Sequence, residues 1–253
     1  MRFRFALFFL VAAATAHADW TIVSNTSEPG RSGVVHRHVV LENPGRADRV
    51  TLDLAIFSTR SCTFRVLQND GGTNSLSEVM RNENCLAGVN GAYFNEKFAP
   101  IGLRIANGQS IAPLQRARLI TGVLFASSRG VQIVRSREFS RRAGATAAIQ
   151  CGPFLVERGQ PVAGLNNSRP ARRTFAATTN SSRALVGVCS DVSLAELSKI
   201  LATISFADDL RIERALNLDG GSSTSFWLAR ENGGAFSIPE QKSVRDFVGI
   251  IAR

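Results

Sequence analysis

Residues 184–226 read ALVGVCSDVSLAELSKILATISFADDLRIERALNLDGGSSTSF, and the order of segments within them decides the fold expected of the whole chain. Residues 184–189 read as a strand, and residues 214–218 as a second one. Between them Ser193 and Glu196 form a capping box, Val192 and Leu197 can make a hydrophobic staple, and Leu197, Ile200, Leu201 and Ile204 keep helical spacing. A helix over residues 193–206 follows. Strand, helix and strand in this order resemble a βαβ crossover, a unit in which ligands collect beyond the carboxyl ends of the strands.

At that end the apolar run stops at Asp219, Gly220 and Gly221, and Ser222, Ser223 and Thr224 follow. A carboxylate and a cluster of hydroxyls are thereby held on one tight turn. The glycines permit backbone angles that a side chain forbids and let a ligand approach the main chain closely. Successive N–H groups in such a turn can form an anion-binding nest. Asp, Gly and Ser are equally the residues of an ordinary strand-ending turn. Its place beyond the strand ends favours a site.

Working outward, residues 34–41, 50–57, 63–67, 119–126, 131–134 and 247–251 read as strands by alternation or β-branched content. Ser75 and Glu78 open a shorter helix that turns Leu76, Val79 and Met80 inward. The fold class expected is α+β or mixed α/β: a mixed β-sheet core with a few flanking helices, including the βαβ-like unit ahead of the LDGGSST turn. No solenoid repeat or low-complexity segment interrupts it.

The amino-terminal end predicts a compartment. Arg2 and Arg4 precede an apolar run over residues 5–14, and Ala16-His17-Ala18 has the small-x-small pattern of a signal peptidase site, which places cleavage after Ala18. The run is too short to span a bilayer, and no later segment reaches the roughly 18 apolar residues a membrane helix needs. A secreted or periplasmic location follows, with residues 19–253 as one domain. The formal charge of +10, lowered by two when Arg2 and Arg4 leave, favours anionic partners. The only lysines are Lys97, Lys199 and Lys242, the arginines are scattered, and no nucleic-acid motif accompanies them, so nucleic acid is not expected as a partner. The oligomeric state is not readable.

An even cysteine count in an exported chain suggests two disulfides. Proximity in sequence favours Cys62 with Cys85 and Cys151 with Cys189, among three possible pairings. Cys151 as a free nucleophile is the competing reading, with His36 or His38 as its base, although neither lies in a Cys/His signature. His36 and His38 share a strand face, but two ligands without a third make a weak zinc site. A hard cation at Asp219 would want more carboxylates than the turn offers. No metal and no cofactor is expected.

Three further segments share the character of the turn: VNGAYFN at residues 89–95, IQCGPFLVERG at 149–159 and RRTFAATT at 172–179. In order along the chain, Asn90-Gly91 through Phe94, the Gly-Pro segment at 152–159, Arg173-Thr174, the NLDGGSST element at 217–224 and a late Arg245 resemble the phosphodiester glycosidase family. The resemblance spans roughly residues 85–253, with LDGGSST its most specific part. The chain departs from the family pattern at Ala92, Tyr93, Asn95 and Cys151, where Gly, Phe, an acid and Ser are usual.

The resemblance implies removal of a sugar from a glycosyl phosphodiester or a related anionic glycoconjugate. Cleaving the sugar C1–O bond expels a phosphate monoester whose conjugate acid has a pKa of about 6, so one indispensable carboxylate suffices. Asp219 would act as base on water or as nucleophile against an oxocarbenium-like centre. Arg173 and Arg245 would neutralise the phosphate. Asn90, Gly91, Thr174, Gly220, Gly221, Ser222, Ser223 and Thr224 would hold sugar hydroxyls or phosphate oxygens. The alternative from another class is a non-catalytic glycan- or envelope-binding protein that keeps the pocket.

Overall fold

The computed structural model describes residues 20–140 and 144–253. The expected leader and its cleavage point therefore lie outside the described residues. Three antiparallel sheets carry the structure. The largest has eight strands in the order β1 (Thr21–Pro29), β2 (Val35–Asn43), β3 (Asp48–Ser58), β14 (Arg183–Val192), β13 (Ala171–Thr179), β15 (Ile212–Asn217), β11 (Phe154–Glu157) and β12 (Gln160–Pro161). A five-stranded sheet follows the order β7 (Gln109–Ala112), β6 (Arg104–Ala106), β10 (Ala147–Cys151), β8 (Gly122–Ser127), β9 (Gly130–Arg135). The third runs β17 (Ala235–Ile238), β16 (Phe226–Ala229), β5 (Ala87–Asn90), β18 (Asp246–Ala252), β4 (Cys62–Gln68).

This corrects the α+β or mixed α/β expectation: the protein is mostly β, with two α-helices among the described residues, α1 (Leu76–Asn82) and α2 (Leu194–Thr203). The βαβ reading fails for a specific reason. β14, α2 and β15 do follow one another, but β13 lies between β14 and β15 and pairs antiparallel with both. An earlier segment fills the slot where a parallel partner would sit, and adjacency in sequence carries no information about such an insertion.

The large sheet buries both faces. Along β3, Leu52, Leu54 and Ile56 face α2 and its neighbours, whereas Ala55 and Phe57 face the other two sheets. Leu197, Ile200 and Leu201 of α2 complete the first core, and Leu76 and Met80 of α1 pack on the far side of the third sheet. Ser75 and Glu78 make the full capping box predicted for α1. At α2 the Ser193 hydroxyl accepts from the Glu196 N–H at 3.1 Å, but the Glu196 carboxylate accepts from Trp20 Nε1 at 2.8 Å instead of reaching back. That contact ties α2 to the chain just ahead of β1.

The disulfide expectation is also corrected. All four cysteines are buried free thiols. Cys62 packs between the sheets while Cys85 packs beneath α1, and Cys151 and Cys189 lie on opposite faces of the large sheet. Nearest in sequence is here opposite in space, because a sheet lies between the members of each pair. Thiol titration checks this: the native protein is expected to resist the reagent, and denaturation under non-reducing conditions to release all four cysteines.

Candidate active site

Because neighbouring strands run antiparallel, one end of the molecule gathers the carboxyl ends of β5, β10 and β15 with the amino ends of β6, β13 and β18. Asp219 sits there, two residues past β15. Its N–H donates to Gly91 O at 3.1 Å, and its Oδ1 accepts from Gly220 N at 3.0 Å. Burial pushes the Asp219 carboxyl above the ordinary aspartate range, while hydrogen bonds from Ser223 and Gly220 and the charge of Arg104 oppose that rise; Asp246 adds to it. Only Gly221 of the glycine pair is left-handed, at φ 62°. Gly220 is needed for a different reason: a Cβ there would stand 2.8 Å from Arg172 O.

The hydroxyl turn is fastened from outside. Ser223 N and Thr224 N close it onto Gly220 O and Gly221 O, both at 3.2 Å, and Ser222 O accepts from Gln241 N at 2.8 Å. Arg172 Nη2 donates to Thr224 O at 2.6 Å. Around the same turn Asn217 Oδ1, Thr224 Oγ1 and Ser225 Oγ are buried without a hydrogen-bond partner among the described residues. Buried polar atoms in this condition are few in folded proteins, and ordered water or an ion is one way they find a partner.

Asn90 and Thr174 lie beneath this turn, fully buried. The Asn90 amide donates to Asp219 O at 2.8 Å and to Gly91 O at 3.4 Å, and accepts from Thr174 Oγ1 at 2.7 Å and Ser225 N at 3.0 Å. These four contacts engage the whole amide. The structure thus places Asn90 as a bracket joining β5, β13 and both ends of the turn. Gly91 is close-packed, since a Cβ would collide with Asp246 Oδ1.

Arg173 and Arg245 differ in setting. Arg173 is half-buried, with Nε on Val192 O at 3.0 Å and Nη2 on Arg169 O at 2.6 Å; burial draws its guanidinium below the usual arginine range. Tyr93 joins its surroundings to those of Asp219, because the phenol feels both charges. The Tyr93 hydroxyl donates to Gly152 O at 2.6 Å and accepts from Asn217 Nδ2 at 3.1 Å, and burial drives its ionisation out of reach. Arg245 instead holds Asp70 Oδ1 at 2.5 Å and faces Gln68 Oε1 at 3.5 Å. Its guanidinium is therefore on the β4 side of the site, paired with an acid that is 70% exposed.

Sequence reading missed one buried assembly here. Arg104 Nε donates to Asp246 Oδ2 at 2.7 Å, with the two side chains 2% exposed. Asp246 Oδ1 takes the Ala92 N–H at 3.1 Å, and the rest of the Arg104 fork reaches Tyr93 O and Leu103 O, both at 3.0 Å, and Gln150 O at 3.3 Å. The pair thereby holds the Gly91–Tyr93 segment that supports Asp219. Its signal was present: one charge of each sign stands at the start of an otherwise apolar strand, in GLRIA and in RDFVGII.

The thiol-nucleophile reading finds no support in this arrangement. Burial pushes the Cys151 thiol up to about 12, so it stays protonated at neutral pH. Both histidines are occupied elsewhere, with His36 Nε2 and His38 Nδ1 each 2.9 Å from Asp53 Oδ1. No group of three or more His, Cys, Asp or Glu side chains is placed to hold a metal among the described residues.

A large antiparallel sheet facing two smaller ones, with a carboxylate on a hydroxyl turn at their shared end, defines the class. The family model for phosphodiester glycosidase matches residues 83–251, so the chain belongs to the phosphodiester glycosidase family. The catalytic domain of zebrafish N-acetylglucosamine-1-phosphodiester alpha-N-acetylglucosaminidase, auto-inhibited by its pro-peptide, superimposes with a TM-score of 0.62 at 14% identity, covering 96% of this chain and 86% of that one. A hypothetical protein of Synechocystis gives 0.60 at 15% identity, over 91% of this chain and 64% of the other. A Burkholderia pseudomallei protein described as exported gives 0.56 at 12% identity, over 81% and 74%. At these identities the likeness speaks for the fold. No curated protein matches the chain.

Proposed function

We propose that this protein is an exported hydrolase that cleaves a sugar from a glycosyl phosphodiester or a related anionic glycoconjugate. The observation that carries the reading is the contrast between two carboxylates. Asp246 is closed off by Arg104 and the Ala92 N–H, whereas Asp219 is partly accessible on the hydroxyl turn. One reactive carboxylate suits a leaving group that departs as a phosphate monoester, with a second pKa of about 6, and needs little proton assistance.

In this mechanism Asp219 acts as base on water or as nucleophile at the anomeric carbon. Arg173 meets the phosphate with the part of its fork not bound to Val192 and Arg169. Arg245 joins it by exchanging Asp70, whose carboxylate is 70% exposed and can return to water, for phosphate. Ser222 and the Gly220–Gly221 backbone line the approach, while Asn90, Gly91 and Thr174 keep the turn in place. Export rests on the amino-terminal leader pattern and is supported by the exported description of one similar protein. No helix among the described residues is long and apolar enough to cross a membrane.

The test is hydrolysis of an activated sugar-1-phosphodiester by the purified protein across a pH series. Asp219 works as the carboxylate, so activity should fall on the acid side through a pKa displaced upward from the ordinary aspartate value of about 4. Binding of the sugar phosphodiester without turnover at any pH would sink the catalytic reading in favour of a binding protein.

A further inference from the structure

One groove among the described residues has no part in the site above. It has a volume of about 710 Å³ and is lined by apolar Leu114, Ile120 and Phe139 together with Arg116, Arg135 and Arg137. That volume is in the range of ligand-binding clefts. We propose that this groove holds the continuation of the substrate, a phosphodiester-linked oligosaccharide chain, so that the enzyme acts on an anionic glycan polymer rather than on an isolated sugar phosphodiester. The inference rests on the proposed hydrolase activity and adds a subsite to it.

Register puts the groove at the catalytic end of the molecule. Cys151 at the end of β10 pairs with Gly122 of β8, which pairs with Arg135 of β9, so the groove opens where the strand ends gather around Asp219. Gly152 is the partition between them. Its carbonyl accepts from Tyr93 Oη and from Asn217 Nδ2, at 2.6 and 3.0 Å, on the catalytic side. On the other side a Cβ at this position would collide with Leu119 O and stand 2.8 Å from Thr121 N. Gly152 thus borders the surroundings of Asp219 through its carbonyl and the 119–121 rim of the groove through its Cα.

The groove is built rather than incidental. Gln150, fully buried, fastens both rims: its Nε2 donates to Gln115 O at 2.7 Å, Ile120 O at 3.1 Å and Ser136 Oγ at 3.1 Å, and its Oε1 accepts from Gln115 N at 3.0 Å. Arg135 is fixed by Glu157 and lies 4.3 Å over the Phe154 ring, which makes it a wall. Arg116 and Arg137 have no ion-pair or hydrogen-bond partner among the described residues, which leaves two guanidinium forks for phosphodiester oxygens. Leu114, partly exposed on the same lining, offers a C–H face to a sugar ring. Guanidinium groups beside apolar surface suit a sugar-phosphate chain.

The experiment uses the double variant Arg116→Ala/Arg137→Ala and a phosphodiester-linked oligosaccharide of several repeats, with an activated sugar-1-phosphodiester as the small substrate. The expected result is a KM for the oligomer raised about tenfold or more, with kcat/KM for the small substrate held within about twofold. Equal losses on both substrates, or no loss on either, would overturn the subsite. Direct binding of the oligomer to the Asp219→Asn protein keeps the test independent of turnover: the double variant should weaken Kd about tenfold in that background. An unchanged Kd counts against the groove whatever the enzyme hydrolyses. Arg31→Ala/Arg60→Ala, at the opposite end of the large sheet, controls for bulk charge and should leave Kd within about twofold; a loss equal to that of the groove variant would also overturn the proposal.

Discussion

Asp219→Asn is expected to lower turnover of an activated sugar-1-phosphodiester by about 10²–10⁴-fold, the range associated with a positioned acid or base, and to do so without unfolding the protein. The two halves of this result come from the same burial. A carboxyl whose pKa is raised on folding contributes stability that is fully present below its unfolded value and is lost as the pH rises through the folded one. Near neutrality Asp219 is therefore a folding liability, held in place by the Gly220 N–H and Ser223. Asparagine keeps a carbonyl oxygen for Gly220 and carries no charge to desolvate. The variant should melt no lower than the parent at pH 7, with any advantage shrinking as the pH approaches the unfolded carboxylate value. Activity above a tenth of the parent's would remove Asp219 from the chemistry, and a collapsed melting temperature would show the turn to be structural.

The largest stability effect belongs to the Arg104–Asp246 pair. Arg104→Met leaves Asp246 buried beside Ala92 without a counter-charge, and breaking a buried pair by removing one partner costs about 3–5 kcal/mol. For a protein of this size that corresponds to a melting temperature lower by about 6–20 °C. Replacing both partners with apolar residues of similar volume should recover most of the loss, because the uncompensated charge then disappears as well. Catalysis supplies the readout that simple loosening would not. Arg104 draws the Asp219 carboxyl down and Asp246 pushes it up. The acid limb of the pH–rate profile should therefore move to higher pH in Arg104→Met and to lower pH in Asp246→Asn. Shifts of the same sign in both variants would mean that the pair supports the fold without tuning the carboxylate.

Local signals in the sequence were strong where the physics is local. The helix starts at Ser75 and Ser193 are set by side chains bonding amides three residues on, and alternation along β3 follows from a strand having two faces. The same logic located the Asp219 turn, since an apolar run ending in Asp-Gly-Gly can only be the end of a buried segment. The family resemblance added the order of the motifs.

Long-range pairing was the part that local pattern could not carry. Nothing in residues 184–218 tells that β13 will insert between β14 and β15, or that the strand ends of three sheets will meet at Asp219. The cysteine pairing failed for the same reason, because the side of a sheet on which a thiol falls depends on what packs there. Residue types and turn chemistry, which are properties of neighbours along the chain, were determined by the sequence alone. Which carboxylate stays reactive and which is locked by an arginine 142 positions away was decided only in three dimensions, where burial and partner charge fix the proton affinity of each.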